Sequence, residues 1–205
     1  MKNITKTCFK VQSFAIFLVG LSFATVTKAN NLDENIEPNI AALEQEAKQR
    51  IQVFAKQLKS TLKAGITEGG LTSGVNTCFL KAPTISKDNS KQPWSLTRTS
   101  LKVRNTSNTA DEWELEQLKT FEQQKTTGKS IKKLSSSTLI TNQDGSKQFR
   151  FAKAIPTQQI CLACHGEQIP NSVKESIANH YPNDKAVGFK LGDIRGIFSV
   201  SKTIK

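Results

Sequence analysis

From residue 36 to residue 63, apolar side chains recur at steps of three and four: Ile40, Leu43, Ala47, Ile51, Phe54, Leu58 and Leu62. That spacing lines one face of a long amphipathic helix. Pro38 stands near its start, and Gly65, Gly69 and Gly70 lie at its far end, so the helix is expected to stop toward Gly65. Residues 74–80 read as a short second helix that carries Cys78 and is stopped by Pro83. Polar turn formers fill residues 86–93. The run WSLTRTSLKV, residues 94–103, alternates polar with apolar and predicts a strand. A further helix is expected from about Asp111, with Trp113, Leu115, Leu118 and Phe121 available for burial. Residues 137–140 and 148–155 pattern as two strands joined by Asn142-Gln143-Asp144-Gly145, a hairpin signal. A short helix over 172–179 and a final strand containing Ile197-Phe198-Ser199-Val200 complete the pattern. The sum is an α+β domain, a small antiparallel sheet with flanking helices preceded by a long N-terminal helix.

The first 29 residues belong to a different class. Lys2, Lys6 and Lys10 stand without an acid, an apolar run VQSFAIFLVGLSFA follows, and Thr27-Lys28-Ala29 is a small-x-Ala site. This is the order of a secretory signal peptide, so the chain is expected to be exported to the periplasm and to begin near Asn30. The run is short for a membrane span, and no later stretch is long and apolar enough to cross a bilayer. Residues 30–70 then hold the long helix and residues 71–205 the rest of one domain. Of the 29 basic residues four leave with the leader and none of the 17 acids does, so the balance falls from +12 to +8. The lysines are spread rather than clustered, which argues against nucleic acid. A positive surface suits an acidic protein partner; a second copy of the chain is another candidate partner.

Residues 161–165 read CLACH. C-x-x-C-H is the attachment motif for one covalent haem c. Its thiols, Cys161 and Cys164, add to the haem vinyl groups, and the adjacent His165 binds iron from one face. Cys8 is lost with the leader, which leaves Cys78 as one unassigned thiol in an oxidising compartment. The usual sixth iron ligand is methionine, but the only methionine is Met1. Cys78 and His180 are the leading candidates and weigh equally on the residues alone, with an open site, a lysine or the new N-terminal amine behind them. Arg98 and Arg104 are candidates to pair with haem propionates, and Trp113 to pack on the porphyrin. Arg195, in GDIRG, reads as pinning a turn before the last strand, and Tyr181-Pro182 as fixing the turn after the short helix. No catalytic acid–base constellation stands out, so an enzyme is not expected. A zinc site lacks a convincing ligand set.

RTSLKVRNTSNTADEWE (98–114), AIPTQQICLACHG (154–166) and YPNDKAVGFKLGDIRGIFSV (181–200) together resemble one family, in order, across most of the exported chain. It is the exported c-type haem domain family of PAS-like fold and long-uncharacterised function, found alone or as the sensory part of bacterial membrane signalling proteins. The resemblance implies a PAS-like antiparallel sheet. It also implies an axial pair of His165 and Cys78, since the family has a cysteine after the long helix and ahead of an Ala-Pro pair, here Ala82-Pro83. A haem-based redox sensor of low potential, passing its output to a protein partner, is then the leading expectation. A periplasmic electron-transfer cytochrome and a gas-binding haem sensor are the alternatives.

Overall fold

The computed structural model describes residues 38–204, so the leader expected over residues 1–29 lies outside the described residues. The first helix does not stop at Gly65. Helix α1 runs Ile40–Asn89, interrupted at Gly69 (φ −154°) and Gly70 (φ 74°). Gly70 takes a left-handed conformation that a side chain would strain. Arms 40–68 and 71–89 double back on each other there. Across the pair, Asn89 Nδ2 donates to Gln57 Oε1 at 2.7 Å. Gly65 therefore serves close packing rather than termination: a Cβ on it would sit 2.3 Å from Thr77 Oγ1. Gly74 does the same from the other arm, against Ile66 and Leu62. Pro83 lies inside the second arm instead of ending it. It removes one helix hydrogen bond, but on the exposed face, where water can replace it.

The strands are β1 (Trp94–Thr99), β2 (Ser135–Thr141), β3 (Lys147–Pro156) and β4 (Ile194–Ile204). They form one antiparallel sheet in the order β1-β4-β3-β2. Strand β1 stops at Thr99, short of the expected residue 103. It crosses Gly196 of β4 so closely that a Cβ there would meet the Thr99 carbonyl at 2.2 Å. Helix α2 (Glu112–Thr126) begins at a reciprocal cap between Asp111 and Glu114. Helices α3 (Gln159–His165) and α4 (Asn171–His180) fill the connection between β3 and β4.

Strand alternation sorts the core. Phe149 and Phe151 of β3 join Trp94, Leu96 and Val200 under the first arm of α1, which contributes Leu43, Ala47, Ile51 and Phe54. Ala152 and Ala154 pack with Leu118 and Phe121 of α2. A third cluster joins the second arm, through Val75 and Leu71, to Val173 and Ile177 of α4 and to Cys164. The α+β architecture is thus a four-stranded sheet between a helical hairpin and α2, with α3 and α4 packed under the second arm. Replacing Gly65 with Ala is expected to cost about 1–3 kcal/mol, because Thr77 Cβ, at 2.7 Å, cannot rotate away. Thr77→Gly in the same chain should recover part of the loss in urea unfolding.

Candidate functional site

The CLACH segment lies at the end of a strand because β3 runs directly into α3. Helix α3 spans two turns, and all three thiols of the described residues, Cys78, Cys161 and Cys164, are free and partly buried. The Gln158 N–H points at Cys161 Sγ, 3.4 Å away. His165 closes the helix. Its Nδ1–H donates to the Ala186 carbonyl at 2.7 Å, which leaves Nε2 as the nitrogen with a free lone pair. Burial holds this imidazole well below the usual histidine range, and Arg195, Arg104 and Arg98 push the same way, against the Ala186 bond. The ring is neutral at neutral pH, the form a metal requires.

The Ala186 carbonyl is itself held. Past β1 the chain bends through residues 100–104 and returns Arg104 to α3. Arg104 Nη2 donates to the Cys164 carbonyl at 2.5 Å and lies 3.4 Å from the Ala186 carbonyl. The same nitrogen pairs with Asp184 Oδ2 at 3.1 Å. Asp184 Oδ1 accepts the Ala186 N–H at 2.8 Å, so one ion pair holds Ala186 at both its N–H and its carbonyl. Backbone bonds from Gly188 N to Gly166 O and from Phe189 N to His165 O bind the loop to the end of α3. Side chains of the pair are only 13% and 9% exposed, so its desolvation is substantial.

Opposite this clamp stands the second arm of α1. Burial pushes the Cys78 thiol up, while Arg98 and Arg104 pull it back. Cys164 is likewise raised by burial and opposed by Arg104, and the Cys78 charge acts on it. Cys78, Cys164, Arg98, Arg104 and Tyr181 therefore share one electrostatic neighbourhood. His180 is otherwise engaged: its Nε2 lies 2.6 Å from Asn76 Oδ1, and its ring stacks on Phe79 at 4.4 Å. Among the described residues no three His, Cys, Asp or Glu side chains converge on a metal ion.

Two sequence readings change. Arg195 does not pin a turn: its Nη2 reaches 3.5 Å from His165 Nε2, and its guanidinium lies over Phe189, 5.0 Å from the ring centre. Trp113 is covered by Arg150, 4.4 Å from its ring centre, and packs between α2 and the sheet, so it is not free to stack on a porphyrin. Sequence reasoning passed over Asp184 and Ala186. The signal for both was YPNDKAVGF, in which an acid follows a Tyr-Pro turn by two residues.

The donor set fits a covalently held haem. Two thiols three residues apart, a neutral imidazole with Nε2 free and Nδ1 anchored, and a buried Arg104 Nε without a partner all belong to such a site. Asp184→Asn leaves Arg104 uncompensated and should lower stability by about 3–5 kcal/mol, measured as an earlier urea midpoint. Asp184→Glu should lose less.

Comparison with curated proteins returned no match. A solved structure, the cyanobacterial heme-protein Tll0287, is 22% identical over 76% of this chain and 93% of its own, with a TM-score of 0.48. The Tll0287-like family model matches residues 31–202. The chain belongs to the Tll0287-like family.

Proposed function

We propose that this chain is an exported monohaem c-type cytochrome acting as a redox sensor. In this reading Cys161 and Cys164 hold the haem, His165 is the proximal ligand and Cys78 the distal one. The observation that carries it is the placement of Cys78, on the helical arm whose Val75 and Leu71 cluster with Cys164, with Arg98 and Arg104 acting on its charge. Family membership supports haem binding. A thiolate ligand favours ferric over ferrous iron, so the bound haem would supply a one-electron centre of low potential.

The chain's own residues supply the rest. Arg98 and Arg104 offset part of the cost of a buried thiolate at Cys78, and burial remains the larger effect. Ala186 fixes the tautomer of His165. The arm carrying Cys78 starts at the Gly69–Gly70 turn and ends on β1, where the hydroxyls of Ser86 and Ser90 donate to the Leu96 carbonyl at 3.0 and 3.1 Å. A displacement of Cys78 would thus be felt at the edge of the sheet, the kind of two-state element that a sensor needs.

Absorption spectra of the matured protein, oxidised and reduced, test this beside Cys78→Ala and His180→Ala. The low-spin ferric spectrum should collapse in Cys78→Ala alone, with a higher midpoint potential. Retention of that spectrum in Cys78→Ala and its loss in His180→Ala would contradict the assignment. Carbon monoxide binding to the reduced wild type without displacement of any ligand would favour a gas sensor.

A further inference from the structure

Three guanidinium groups share the site, those of Arg98, Arg104 and Arg195, and each acts on the charge of His165. Only Arg104 has a carboxylate, Asp184. Arg98 is half-buried on β1 and makes no ion pair among the described residues; its guanidinium lies 5.9 Å from the ring centre of Phe54. Arg195 is half-buried on β4, the strand paired with β1, and is likewise without a carboxylate. Its one hydrogen bond among the described residues is the long contact to His165 Nε2, 3.5 Å. Two half-buried cations of the same sign on adjacent strands repel each other and lose hydration. Cys78 acts on Arg98, and Cys161 and Asp184 act on Arg195, but neither guanidinium has a carboxylate at ion-pair distance among the described residues.

Resting on the haem reading above, we propose that Arg98 and Arg195 form the carboxylate cradle of this site, taking the two haem propionates. Arg195 changes partner in doing so. Its N–H now points at the lone pair that the Ala186 bond leaves on His165, and a nitrogen that binds iron has no lone pair to offer a guanidinium. Arg195 is thus a placeholder on the proximal nitrogen and turns away along the face of Phe189 when that nitrogen is taken. Arg104 stays where it is, because its partners are Asp184 and the Cys164 carbonyl. The propionates would bring Arg98 and Arg195 the carboxylate partners that neither has at ion-pair distance among the described residues, and so relieve the repulsion between them.

The test uses the exported, matured protein. A pyridine haemochrome assay comes first, and a wild-type chain without covalent haem overturns both the parent reading and the cradle. Arg98→Met and Arg195→Met are then compared with Arg98→Lys and Arg195→Lys. The readouts are the pH dependence of the midpoint potential and the propionate bending bands in resonance Raman spectra. Removing a guanidinium raises the ionisation range of its propionate. The added negative charge then stabilises ferric iron as pH rises, so the Met variants should show a falling potential across neutral pH where the wild type is flat. Their propionate bands should shift, and the Lys variants should restore both signals. Loss of haem in the Met variants with recovery in the Lys variants also supports the cradle. Met variants that superimpose on the wild type overturn it, as does equal loss of haem from Met and Lys variants, which would assign the arginines to packing.

Discussion

The Arg104–Asp184 pair is the interaction on which the site depends. One guanidinium joins the exit of β1, the end of α3 and the loop from Tyr181 to Phe189. Nothing in a seven-residue helix fixes the ring at its last position. The ring is fixed because Ala186 is held by Asp184 at its backbone nitrogen and presents its carbonyl oxygen to His165 and Arg104. A buried ion pair is weak as a source of net stability but strong as a constraint, since losing either member strands the other. Here the constraint selects which imidazole nitrogen faces the site.

The helical hairpin answers the clamp from the other side. Its first arm spends its apolar face on the sheet, through Phe54, Ile51, Ala47 and Leu43. The second arm has little sheet to cover and instead packs on α4, which puts the arm that carries Cys78 into one cluster with Cys164. Two opposing effects meet at that thiol. Burial disfavours its charge and is the larger, while Arg98 and Arg104 favour it. The same arginines depress the proton affinity of His165, so one set of cations favours the neutral imidazole and works against the burial that keeps the Cys78 thiol protonated.

Much of this was legible in the chain. The β2–β3 hairpin follows from alternation and Asn-Gln-Asp-Gly, CLACH falls where expected at the end of the hairpin's second strand, and the run from Ile40 to Leu62 marks the arm that covers the sheet. What was not legible shares one physical character: it depends on contacts between distant segments. Gly65 looks like a terminator in sequence, yet it and Gly74 let two helical arms touch. Pro83 breaks a helix only where its missing bond cannot be replaced, and burial decides that. Arg195 sits in a turn-like string, but it lies in β4 at the irregularity where Gly196 pairs with Ile155 and Ile194 with Pro156 of β3. Asp184 carries no local signal apart from its place after Tyr-Pro.

Iron K-edge X-ray absorption on the oxidised, matured protein measures the central claim directly. A first shell of one sulfur and five nitrogens is expected, with the sulfur absent from Cys78→Ala. A first shell of nitrogens alone in the wild type would contradict the pairing of His165 with Cys78 and move the distal position to His180 or another nitrogen donor.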